Sequence, residues 1–124
     1  MRPTLHPLNA ALRFLLELLA LGALGSWGYS MSEGALRYVF APALPLIAAS
    51  IWGVFTVPGD PSRGKDGPVS VPGPVRLLIE AVFFAAGAAA IAAIGHATLA
   101  FVDAASVCLH YALAHARTRW LFTR

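Results

Sequence analysis

The stretch VRLLIEAVFFAAGAAAIAAI, Val75 to Ile94, decides the fold: twenty residues of which only Arg76 and Glu80 are charged. As a helix rising 1.5 Å per residue it is about 30 Å long, the thickness of a bilayer's hydrocarbon core. Pro74 stands at its start, where a missing N–H costs nothing, and Gly95 at its end. Three more stretches have this character. They are Leu8 to Tyr29 behind Pro7, Tyr38 to Val57 with Pro42 and Pro45 in its opening turns and Pro58 at its close, and Ala97 to His115 ahead of Arg117 and Arg119.

The whole chain agrees. Of its 124 residues, 58% are hydrophobic and 12% charged, with mean hydropathy +0.69. A soluble domain carries about 25% charged residues. The composition argues against a soluble enzyme, a disordered chain or a nucleic-acid binder. Net charge +3 comes from basic residues too scattered for a nucleic-acid stripe. The expected architecture is all-α: one integral membrane domain over residues 1–124, an antiparallel up-down four-helix bundle with spans at about 8–29, 38–57, 75–94 and 97–115. Loop 58–74, containing PGDPSRGKDGPVSVPG, reads as a flexible surface loop. Gly95-His96 is short enough to make the last two helices a tight hairpin.

Arg2, Arg13, Arg63, Lys65, Arg76, Arg117, Arg119 and Arg124 fall on one side of this scheme, and Arg37 alone on the other. The positive-inside bias places both termini and loop 58–74 in the cytoplasm, and the protein in the bacterial cytoplasmic membrane. A signal peptide cleaved after Gly25 is the competing reading of the start, but Arg13 and Glu17 interrupt its apolar region. Trp27, Tyr29 and Tyr38 fit an outer aromatic belt, and Trp120 and Phe122 a cytoplasmic one. Cys108, the single cysteine, reads as a buried inert thiol.

A local pattern repeats. Leu12-Arg13-Phe14-Leu15-Leu16-Glu17 opens the first span and Val75-Arg76-Leu77-Leu78-Ile79-Glu80 the third. Duplication of a helical hairpin, chance and convergent helix-end chemistry each account for it. Residues four apart share a helix face, so each Arg is placed to pair with its Glu, as a charge in hydrocarbon requires. Glu17 stands about 18 Å of helix from Tyr29, and Glu80 about 21 Å from Ile94. Both carboxylates are therefore expected about 10 Å inside the cytoplasmic edge, with Arg13 and Arg76 a turn nearer it and free to snorkel. His110 and Trp52 fall at the same level. The candidate polar layer is Arg13, Glu17, Trp52, Arg76, Glu80 and His110, with Ser50 and Asp103 in second rank.

The stretches Asn9 to Glu17 with Trp27-Gly28, Leu44 to Phe55 with Trp52-Gly53 and Pro58, and Pro74 to Glu80 with Phe83 and Gly95-His96 resemble the YrdB-like family of bacterial membrane proteins. The resemblance runs from about Leu8 to Ala100, leaving Asp103 and the basic tail outside it. It implies a small four-helix membrane protein and transfers no catalytic residue.

The layer has two readings. As internal staples, the Arg-Glu pairs belong to a structural or accessory membrane protein, whose partners are the lipid bilayer and a second copy or another membrane protein. As an ion site they belong to a proton-coupled small-molecule or ion transporter, acting as a dimer. An enzyme is the weakest reading: GxSxG, P-loop, HExxH and dinucleotide motifs are all missing, and neither a cofactor nor a metal is implied.

Overall fold

The computed structural model of the chain describes residues 3–63 and 65–124. Arg2, counted above among the inward-side cations, lies outside them. The chain is all-α apart from one small β pair. Its helices are α1 (Pro7–Ser30), α2 (Arg37–Val54), α3 (Gly73–Ala93), α4 (Ala97–Leu113) and α5 (His115–Leu121). The first three are long and apolar enough to cross a membrane, and α4 with α5 makes a fourth if that bent pair is one span.

Contact registers give the helix directions. Arg13 meets Glu80, and Ala20 meets Gly87, at the same offset of 67 residues. A constant offset means that α1 and α3 run parallel. Gly25 lies against Ala41 and Pro45, and Gly28 against Phe40, so α2 runs antiparallel to α1. Gly95, with φ +96°, turns the chain between α3 and α4, a conformation that glycine adopts without strain. Gly87 sits so close to α1 that a Cβ there would stand 2.7 Å from the Ala20 methyl. That contact sets the height of α3 against α1. The core around it is Leu16, Ala20, Ala23 and Leu24 of α1 with Phe83, Phe84, Ala90 and Ile91 of α3, closed by Ala100 of α4.

Several expectations are corrected. The second apolar stretch ends as helix at Val54; Phe55 and Thr56 are extended and pair in parallel with Val69 and Ser70. The helix over 97–115 breaks at Ala114 and turns by 73° into α5. α5 folds back beneath α3: Leu121 packs with Val57 and Trp120 against Val71 and Leu77, and Gly73 N–H donates to the Arg124 carbonyl at 3.1 Å. Gly73 leaves room for this, because a Cβ would collide with the Leu121 carbonyl. Trp120 is therefore buried rather than part of an outward belt, while Phe122 is exposed. Cys108 is exposed on α4, not buried.

The 58–74 segment is built into the fold. Its Asp60 side chain is buried and accepts from Ser62 N–H at 2.9 Å, and Gly67 N–H donates to Thr56 Oγ1 at 2.9 Å. Such a Pro- and Gly-rich run makes no helix, but its turns satisfy one another and dock on α5.

Candidate functional site

The site is built around the Glu80 carboxylate, on the buried face of α3 and fully enclosed. One turn earlier, Arg76 donates from Nε to Glu80 Oε2 at 3.0 Å. From α1, Arg13 Nη1 donates to Glu80 Oε1 at 3.2 Å. From α5, Arg117 donates to both oxygens, at 3.0 and 2.6 Å. The Tyr111 hydroxyl of α4 adds a donation at 2.5 Å to Oε1. Four elements thus converge on one carboxylate, and charge-assisted bonds of this kind are about twice as strong as neutral ones.

The surrounding charges balance. Arg117 is also held in a two-pronged grip by Asp60, with Nε–Oδ1 2.8 Å and Nη2–Oδ2 2.6 Å. Arg13 donates from Nε to Glu17 at 3.1 Å. Arg13, Arg76 and Arg117 therefore face Glu17, Glu80 and Asp60, three cations against three anions, as burial demands. Burial alone would push the Asp60 carboxyl up, but the hydrogen bonds and charge of Arg117 outweigh it and hold Asp60 below its ordinary value.

His110 completes the cluster as a neutral ring. Arg13 Nη1 lies 3.1 Å from His110 Nε2, and a guanidinium only donates, so Nε2 accepts. Nδ1 then carries the proton and donates to Asn9 Oδ1 at 2.8 Å. The Asn9 amide is oriented by its other end, which donates to the His110 carbonyl at 3.3 Å.

Trp52 is the apolar wall. The Arg76 and Arg13 guanidinium carbons stand 4.2 and 4.9 Å from its ring centroid, within cation–π range. Arg76 Nη1 also donates to the carbonyls of Trp52 (2.7 Å) and Phe55 (2.8 Å), and Arg63 to that of Trp52 (3.0 Å). These bonds satisfy the carbonyls left open at the end of α2, where cations are favoured.

The structure thus brings together Arg13, Glu17, Trp52, Arg76, Glu80 and His110. Ser50 does not join them: it is exposed and its hydroxyl donates to the Leu46 carbonyl of its own helix, the usual outlet for a helical serine. Asp103 is buried on the His110 face of α4, but its Oδ1 has no partner among the described residues. Nor do Arg13 and Arg76 snorkel; both are enclosed. The single level expected for the two glutamates is also corrected. With the α1–α3 offset at 67 residues, Glu80 stands level with Arg13, and Glu17 is about 6 Å further along α1. Glu17 is the rim of the cluster, its side chain 22% exposed where that of Glu80 is 0%.

Sequence reasoning missed four members. Arg117 reads as a tail cation, and Asp60 as part of a loop. Tyr111 has no charged residue one turn away in α4, and Asn9, though one turn before Arg13 in α1, is a neutral amide and gives no charge-pairing signal. Among the described residues no group of three His, Cys, Asp or Glu is placed to hold a metal ion.

The fold and site define a class: an all-α protein of apolar helices closed around a buried, charge-balanced arginine–carboxylate cluster. The chain belongs to the YrdB-like family, matching over residues 11–108 the model of a family described as protein of unknown function, DUF2568. It is 35% identical over 120 residues to the uncharacterized protein YrdB of Bacillus subtilis (strain 168), covering 97% of this chain and 98% of that one. No solved structure matches it. The match takes in Arg13, Glu17, Trp52, Arg76 and Glu80, while Asn9, His110 and Arg117 lie outside the 11–108 range.

Proposed function

We propose that the chain is a four-span integral protein of the bacterial cytoplasmic membrane, with both termini and the 58–74 segment on the cytoplasmic side. Its role is structural or interactive, that of an accessory membrane protein, with the arginine–carboxylate cluster as its internal clamp. One observation carries this reading: Glu80 is enclosed and takes donors from α1, α3, α4 and α5. A carboxylate that ferries protons needs access and an open coordination position; this one has neither. A charge so buried persists only when it is fully paired.

The cationic bias supports the orientation even after the clustered arginines are set aside. Arg63, Lys65, Arg119 and Arg124 remain on the proposed inner side with Arg2, against Arg37 on the other. Arg37 itself donates to the Tyr29 hydroxyl at 3.1 Å beside Tyr38, a grouping suited to a membrane interface. Reporter fusions test the orientation: a C-terminal reporter active only outside the cell overturns it. Replacing Glu80 by Gln tests the clamp. It should cut the yield of folded protein without a separable transport defect.

Proton-coupled transport by a dimer is the second reading, favoured by Glu17, which lines a cavity with Arg63 and Lys65. It requires proton-driven flux in vesicles that is lost in Glu17→Gln at normal expression.

A further inference from the structure

Two cavities lie end to end along the same helix faces. The first, about 420 Å³, is an apolar groove between α2 and α3, closed on one side by Leu24 of α1. The second, about 430 Å³, lies at the loop end of that groove and is lined by Glu17, Trp52, Gly53, Ser62, Arg63 and Lys65. Trp52 lines both. Leu24 stands two helical turns from Glu17 on one face of α1, and Ala48 one turn from Trp52 on one face of α2, so the groove and the charged cavity adjoin at Trp52. The groove exists because α2 packs closely on α1, where Gly25 and Gly28 meet Ala41 and Phe40, and touches α3 little, so that none of its residues is buried.

The charged cavity is suited to a zwitterion. Glu17 gives one oxygen to Arg13, and among the described residues its second makes no bond. Among the described residues the exposed Lys65 side chain makes no ion pair and the Ser62 hydroxyl has no partner. Arg63 donates from Nη1 to the Trp52 carbonyl and from Nε to the Lys65 carbonyl, and its Nη2 makes no bond among the described residues. A purely anionic group would meet Glu17, and a purely cationic one would meet Arg63 and Lys65.

We propose that the two cavities together hold one phospholipid with a primary-amine zwitterionic headgroup. Its acyl chain lies in the groove, its phosphate on Lys65, Arg63 and Ser62, and its ammonium on Glu17. A trimethylated headgroup has no N–H to give Glu17, and a glycerol headgroup has no cation. This inference rests on the membrane-spanning reading.

The test is native mass spectrometry of the full chain in detergent, titrated with dioleoyl phosphatidylethanolamine, phosphatidylcholine or phosphatidylglycerol. One phosphatidylethanolamine should be retained per chain, about tenfold more tightly than either other lipid, since one charged hydrogen bond separates them. Lys65→Gln, at an exposed side chain outside the cluster, should weaken that retention about tenfold. Glu17→Gln should erase the preference over phosphatidylglycerol, with circular dichroism confirming that both variants remain folded. Equal retention of the three lipids overturns the proposal, as does a lipid-free dimer, which would mean that a second copy covers the groove. Competition by free glycerophosphoethanolamine at the same concentration also overturns it, by removing the groove's part. Alkaline carbonate extraction separates the two readings: a chain washed off membranes refutes the spanning reading, whereas a chain that stays in them without the lipid preference refutes only this one.

Discussion

Replacing Glu80 by Gln removes one charge and no volume, and it strikes where four donors converge. Three guanidiniums then face only Glu17 and Asp60, leaving a buried net charge of one. The Gln amide also turns an N–H₂ toward groups that only donate, Arg76 and Arg117 on one side or Arg13 and Arg117 on the other. Removing one partner of a buried ion pair costs about 3–5 kcal/mol. We expect a loss of that size, equivalent to a fall of about a hundred- to several-thousand-fold in the folding equilibrium constant. The assay is reversible unfolding in mixed micelles as sodium dodecyl sulfate is raised, followed by tryptophan fluorescence. Glu17→Gln is the internal control: it keeps the shape of a rim residue with one ion-pair partner and should cost about 1 kcal/mol. The double variant Arg13→Gln with Glu80→Gln restores neutrality, so its loss should fall short of the sum of the single losses by about 0.5–3 kcal/mol. A loss below about 1 kcal/mol for Glu80→Gln, or equal losses for Glu80→Gln and Glu17→Gln, would refute the clamp.

Asp60 titrates below its ordinary value of 3.8 when folded, so its grip on Arg117 stabilises the protein above that pH and fades as pH falls through the lowered value. Amide hydrogen exchange in α5 should accelerate in that acid range, and Asp60→Asn should show the faster exchange already at neutral pH. Asn9→Ala leaves the His110 Nδ1–H without its acceptor and should cost about 1–3 kcal/mol in the same unfolding assay; nitrogen NMR of labelled histidine should show the Nδ1-protonated neutral tautomer in the unchanged protein. Gly87→Leu forces side-chain atoms into Ala20 and should cost about 1–3 kcal/mol or more. Gly73→Ala collides with the Leu121 carbonyl and should free α5, read as faster exchange there with α1 and α3 unchanged.

How much of this was legible depends on the range of the signal. Hydropathy and proline placement carry local information, so the long helices and the Gly95 turn could be read directly. So could the i, i+4 pairing within α1 and within α3, which needs only helical spacing. The break at Ala114 could not: Ala112 to Ala116 holds no proline or glycine. The bend there accompanies non-local contacts, the grip of Asp60 on Arg117 and the seating of Leu121 beside Gly73. A cation after an apolar run reads as a topology signal by default, and only the position of a loop 57 residues away shows that Arg117 has a buried partner. Loop 58–74 was misread for the same reason, because Pro and Gly report what a segment is not and say little about what it docks on.

The repeated Arg-x3-Glu motif shows why spacing within a helix does not determine a site. Both copies form their own pair, at 3.1 and 3.0 Å, and from sequence they are equivalent. What distinguishes them is the height of α3 against α1, which the Gly87–Ala20 contact sets four residues away from equal level. Had the motifs stood at one height, each Glu would face the other across the helix pair, and two carboxylates would need cations between them. The one-turn stagger instead sets Glu80 opposite Arg13, so the first motif's cation serves the second motif's anion. Glu17 is left at the rim with Trp52, facing the cavity, and Glu80 at the centre. One repeat thereby supplies the clamp's anchor and the other its only half-exposed carboxylate, a division of roles made by two small residues that carry no charge.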